Sequence, residues 1–519
     1  MPKSTHVSLF LGLIASSALV SNVAAQEPPK SLPQTEAQVE SWLEQHRDDP
    51  PALRAFMQRL PKGGDIHSHL SGAVYAEHYL EWAAADGYCV DPKADALVEP
   101  RACSQDSAYF PASQLMNRTN LYDALINRWS TRNLPFARQS GHDQFFQAFA
   151  GFSAISDSTT RQADMVAEVA NRAASQNVSY LELMLTVQGG AARQLGKEIG
   201  WNRDFAQMYR QLHDRGLMNL VAKGSQELAN LERKVSTTMG CSTPSAQAGC
   251  QVTVRYLQQT TRTRAPEEVF AQLTYAFELA QTDRRIGGIN LVAPEDNPVA
   301  LRDYTLQMQM LQFLHQQLPQ VKVSLHAGEL TLGLVPPDSL RFHIRQAVEI
   351  AGAKRIGHGV DVLYEDNPFQ LLQEMRQRGV LVEICLTSNE VILNVKGKDH
   401  SFREYWAAGV PMTLASDDEG ISRIDLSNEY LLATQRYGLG YKDLKRLSRN
   451  SLEYSFLKGS SLWQSPDFAA VVAACAKDSP GSSSVSQGCT AFLQKNDRAK
   501  SQWQLESELA QFESISWLR

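Results

Sequence analysis

Eight short runs of apolar and β-branched residues recur between residues 63 and 416, each followed by a segment long enough to form a helix. They lie at 63–67, 179–185, 251–257, 286–292, 321–326, 354–358, 380–385 and 411–416. Most are bounded by glycine or by a charged turn. Strands this uniformly apolar are covered on both faces, and strand–helix alternation covers a parallel sheet in that way. Eight such units are the number at which the sheet closes on itself. The expected fold is therefore α/β, a (β/α)8 TIM-type barrel with helical insertions and a helical C-terminal region.

The rest of the chain is arranged around that core. Residues 1–25 have a positive start at Lys3, an apolar run from Val7 to Val20, and small residues before Gln26. This pattern predicts a cleavable signal peptide, and with it a secreted or periplasmic protein with no membrane attachment after cleavage. Residues 26–60 form a Pro-rich linker followed by a helix over 37–60. The barrel is expected within 61–460, with insertions at about 70–178 and 203–250, the second a helical hairpin. Residues 461–519 form a helical extension. Six of seven cysteines fall into local pairs, Cys89 with Cys103, Cys241 with Cys250 and Cys475 with Cys489, as loop-closing disulfides of an oxidising compartment would. Cys385, at the end of an apolar run, reads as a buried thiol. A net charge of −6 with no cluster of Lys and Arg argues against nucleic acid as a partner.

Four motifs at strand ends carry the chemistry: His67-Ser68-His69, His326-Ala327-Gly328-Glu329, Gly357-His358-Gly359 and Ser416-Asp417-Asp418. In a strand, positions two apart face the same way, so His67 and His69 both point into the barrel mouth. A hydrolytic zinc centre needs three or four His or carboxylate ligands, an open position, and nearby acid–base groups. His358 is presented between two glycines. Two adjacent carboxylates repel each other, and a cation on one of them removes that objection.

Together PKGGDIHSHL, SLHAGEL, RIGHG, LEICLTSN and ASDD resemble the adenosine deaminase family of metal-dependent amidohydrolases, above all its secreted growth-factor-like branch. The resemblance spans roughly residues 55–460. It implies a barrel holding one Zn2+, with His67, His69, His326 and Asp417 as ligands. It further implies Glu329 as the proton donor to N1 of the purine, His358 as the group that orients and deprotonates the attacking water, and Asp418 as the partner of N7. The substrate would be adenosine, and 2′-deoxyadenosine with it, yielding inosine and ammonia.

Two substitutions bear on substrate. Ala293, followed by Pro294, stands where the family pattern has a glycine against N3 of the base. Ser71 stands where many adenosine enzymes carry Asp for the ribose 5′-hydroxyl. They leave open a deaminase or amidohydrolase acting on a modified adenine nucleoside. A catalytically silent nucleoside-binding, growth-factor-like protein is the third reading, against which the complete ligand set counts. The N-terminal helix and the insertions offer contact surfaces for a homodimer.

Overall fold

The computed structural model describes residues 32–515 apart from 101 and 137. The expected signal peptide and most of the linker lie outside the described residues. Eight parallel strands form one sheet in sequence order: β1 (Gly63–His69), β2 (Val178–Leu185), β3 (Thr253–Thr261), β4 (Ile286–Val292), β5 (Lys322–Ala327), β6 (Arg355–His358), β7 (Leu381–Ile384) and β8 (Met412–Leu414). The sheet closes at its C-terminal rim. There Ser68 pairs with Asp417 in a parallel bridge. The amide of Asp417 donates to the carbonyl of His67 at 2.9 Å, and that of His69 to the carbonyl of Asp417 at 3.0 Å. The contact that closes the barrel is thus also the one that brings the first and last candidate metal-binding motifs side by side.

Helices cover the outside, and several start with recognisable signals. Pro298–Gln317, between β4 and β5, has Asn297 accepting from the Val299 amide and proline at its first position, which has no amide to satisfy. The expected 37–60 helix is two helices, Leu32–Gln45 and Pro50–Arg59. Asp49-Pro50-Pro51 separates them, since proline removes the donor and clashes with the preceding turn. Strand β3 runs four residues beyond its expected end, to Thr261, because its polar tail Gln258-Gln259-Thr260-Thr261 hid the pattern.

The 70–178 insertion holds helices and, unexpectedly, a three-stranded antiparallel sheet made of Cys89–Asp91, Ala96–Val98 and Phe110–Pro111. Residues 203–250 do form a helical hairpin, Phe205–Asp214 and Leu217–Thr238. All three disulfides are formed, and Cys385 is a buried free thiol. In the loop-entropy account each crosslink of this size stabilises by about 3 kcal/mol. No helix among the described residues is long and apolar enough to cross a membrane.

The barrel interior below the rim is not purely apolar. Arg355 is fully buried and pairs with Glu182 at 2.6 Å and with Glu383 at 2.6 Å. Its guanidinium lies 3.7 Å from the centre of the Phe456 ring. Buried charges persist only when paired and hydrogen-bonded. Here Tyr180 donates to Glu182 and Ser324 donates to Glu383. This ionic layer forms the floor on which the site is built.

Candidate active site

His67, His69, His326 and Asp417 converge at the rim, each offering one ligand atom within 4.8 Å of the others. Nε2 of His69 lies 3.1 Å from Nε2 of His326, and Asp417 Oδ1 lies 3.4 Å from Nε2 of His67 and 3.3 Å from Nε2 of His69. Four ligands around a tetrahedral zinc, with Zn–N near 2.05 Å, are separated by about 3.3 Å. These three edges of the cluster match that polyhedron. Nε2 of His67 is buried with no hydrogen-bond partner among the described residues, and so is Nε2 of His358. Buried imidazole nitrogens without partners are costly, and a cation held by the cluster would satisfy that of His67.

What turns each Nε2 inward is the partner of its Nδ1. His67 Nδ1 is 2.6 Å from Glu383, His69 Nδ1 is 2.9 Å from Gln259, and His326 Nδ1 is 2.7 Å from Asn290. Each acceptor is a carboxylate or amide oxygen, which holds the proton on Nδ1 and leaves the Nε2 lone pair for a metal. Ser388 donates to the other oxygen of Asp417 at 2.7 Å. Sequence reasoning found none of these four supports. Glu383 was the legible one, a lone carboxylate within the apolar strand Leu381–Ile384.

We expect Glu383→Gln to weaken metal retention about 10–100-fold, because the imidazole loses its anionic orienting partner. Dialysis against a graded chelator series, with metal counted per chain, measures this; retention equal to wild type would refute the role.

A pocket of about 420 Å3 opens over the cluster. Of the nine residues singled out from the sequence, eight line it: His69, His326 and Asp417; Glu329 and His358; Ser71, Ala293 and Asp418. His67 lies behind them, fully buried. The far wall is Phe145, Phe146 and Phe149, from the helix Gly141–Ser156 of the long insertion. The insertion therefore supplies an aromatic face to the site, suited to a flat heterocycle, which sequence reasoning did not foresee.

Glu329 lies 3.7 Å from Nε2 of His358. Burial, then the charges of Asp417 and Glu295, push the Glu329 carboxyl well above the usual range. Burial, then its neighbour Asp417, does the same to Asp418. In both, burial favours the protonated form, which can donate a hydrogen bond. His358 is pulled below its usual value by burial and is a neutral imidazole, its Nδ1 2.9 Å from Asn389.

Backbone conformation at the site is unusual. His358, Asp417 and Ala293 have φ of 68°, 61° and 87°, in the left-handed region that favours glycine. At Ala293 the chain keeps the glycine conformation while carrying a methyl into the pocket lining. Gly72 is required sterically, since a Cβ there would lie 1.6 Å from Asp418 Oδ1.

The fold and this site define a class: a (β/α)8 barrel with a candidate His3Asp metal site at the C-terminal ends of its strands. Residues 120–461 match the family model for adenosine deaminase, well over half of the chain. The chain belongs to the adenosine deaminase family. An adenosine deaminase of Clostridium perfringens (strain 13 / Type A) is 30% identical over 139 residues, which are 26% of this chain and 38% of that protein. The chain thus aligns with little more than a third of the length of the curated relatives it matches.

Among solved structures, the N6-mAMP deaminase of Arabidopsis covers 78% of this chain and 96% of its own, with a TM-score of 0.51 and 22% identity. An amidohydrolase of Burkholderia ambifaria with bound zinc covers 78% and 88%, with a TM-score of 0.50 and 17% identity. Both share the fold.

Proposed function

We propose that this protein catalyses hydrolytic deamination of adenosine, and of 2′-deoxyadenosine, to inosine and ammonia, with one Zn2+ held by His67, His69, His326 and Asp417. The observation that carries this reading is the pair of buried carboxyls, Glu329 and Asp418, facing one pocket above the His/Asp cluster, where burial favours the protonated form of each. Adenine presents two ring acceptors, N1 and N7, on either side of C6. A base seated with C6 toward the cluster meets a donor on each flank. Zinc at such a site activates water at neutral pH and stabilises negative charge on oxygen.

The chain's own groups do the rest. Glu329 gives its proton to N1 as water adds to C6, so the ring does not accumulate negative charge. His358, neutral and with Nε2 free, orients the attacking water and takes its proton. Asp418 donates to N7 and fixes the plane of the base. The phenylalanine wall excludes solvent. The proton held by His358 then passes to the amine as the C6–N bond breaks and ammonia leaves, the hydroxyl proton returns to Glu329, and the ring keeps the oxygen as a carbonyl.

One observation favours a second reading, a modified adenine nucleoside. A further cavity of about 500 Å3 adjoins the catalytic pocket and shares Ser71, Asp157, Thr186, Gln259 and Thr261 with it. Space beyond a nucleoside suits a substituted one. Ammonia release from zinc-loaded protein on adenosine, 2′-deoxyadenosine, N6-methyladenosine and AMP separates the two. Adenosine is expected to be the best substrate; adenosine left inert while a modified substrate turns over would replace the first reading with the second. The three disulfides also support export to an oxidising compartment, where the predicted signal peptide would send the chain.

A further inference from the structure

Under the turn that joins His326 to Glu329 lies a buried ion pair that the chemistry above does not use. Arg262, at the end of β3, and Glu295, just beyond β4, are both fully or almost fully buried, with their charges 3.9 Å apart. Glu295 accepts the backbone amide of Glu329 on one oxygen at 2.8 Å and that of Gly328 on the other at 3.2 Å. Arg262 donates to the carbonyl of His326 at 2.8 Å. His343 bonds Glu295 from the far side, its Nδ1 2.6 Å from the oxygen that accepts the Gly328 amide, with its ring stacked on Tyr304. The turn itself has no slack: Gly328 has φ of 76°, and a Cβ there would lie 2.5 Å from Asp361 Oδ1.

We propose that Arg262 and Glu295 are positioning residues for the proton donor: they grip the backbone on both sides of Gly328 and so fix the reach of Glu329 relative to the metal ligand His326. Two oxygens of one carboxylate bonding two successive amides set the direction of the Cα–Cβ bond of Glu329 as well as its location. A side chain that must deliver a proton to one ring nitrogen gains most from such fixing, since misplacement by about 1 Å can cost a hundredfold in rate. Burial alone would push Glu295 up, but His343, Arg262 and the Glu329 amide outweigh it and keep the carboxyl ionised. A neutral amide in its place would turn an N–H toward one of the two backbone amides and release that strand of the turn.

The inference rests on the reading of Glu329 as proton donor, so the test is a double-mutant cycle on zinc-loaded protein: wild type, Glu295→Gln, Glu329→Gln and both. Glu295→Gln is expected to lower kcat for adenosine about a hundredfold, with KM within about threefold and zinc content at one per chain. In the Glu329→Gln background the same change is expected to cost less than about threefold, because the group it positions is already gone. Equal losses in the two backgrounds, or a loss that follows zinc content, would overturn the clamp while leaving the role of Glu329 standing. A fully active Glu329→Gln protein would overturn the role of Glu329 and the clamp with it. Should Glu295→Gln not fold, Glu295→Asp completes the same cycle. It keeps the buried charge paired with Arg262 but shortens the reach to the amides, and additive losses there overturn the proposal equally.

Discussion

Glu329→Gln lowers the deamination rate by about two to four orders of magnitude, the span expected for a lost general acid, and leaves zinc at one per chain. Gln is nearly the size of a protonated Glu and can still donate an N–H to N1, so substrate binding survives. It has no proton to give up. As water adds to C6 the ring must then carry negative charge where the nearby charges of Asp417 and Glu295 already oppose another anion. The metal ligands do not depend on Glu329, which makes no hydrogen bond to any of the four. Kinetics on adenosine and metal analysis of one preparation measure both halves. A variant that purifies without metal would mean that Glu329 is a ligand rather than a proton donor.

The barrel and the strand-end motifs that converge at its rim were legible in the sequence because both rest on local pattern. Parallel strands buried on two faces read as apolar runs, and ligands at strand ends fall at the boundary between such a run and a loop. The supports of the site were not legible for a physical reason. Glu383, Gln259 and Asn290 point inward from strands other than those of the histidines they orient, and only barrel closure sets those neighbours. Gln259 was hidden further because β3 continues through four polar residues, alternately buried and half-buried, that do not read as a strand. Glu295 and Arg262 lie in loop-like sequence, where a charged residue reads as solvated. Their burial follows from the way the β4 and β5 ends fold over each other. The phenylalanine wall comes from an insertion whose docking on the mouth no periodicity predicts.

Asp417→Ala and His67→Ala each lower zinc occupancy well below one per chain, abolish deamination, and remove the dependence of thermal stability on metal. The two variants reach that result by different routes. In the proposed set Asp417 is the anionic ligand; it lies within 3.4 Å of two imidazoles, so its loss would remove both a donor and the charge that attracts the cation. His67 is neutral as a ligand, but it ties the cluster to Glu383 and through Glu383 to Arg355. Its removal also leaves a buried carboxylate with one partner fewer, so the His67 variant should melt lower than the Asp417 variant in the absence of metal. A ligand that binds only the folded state stabilises it by about 2.7 kcal/mol when present at a hundred times its dissociation constant. Wild type should therefore lose several degrees of Tm on treatment with a chelator, while both variants should melt at the same temperature with and without it. Zinc retained at one per chain by both variants, with Tm still shifted by chelator, would show that the cation sits elsewhere.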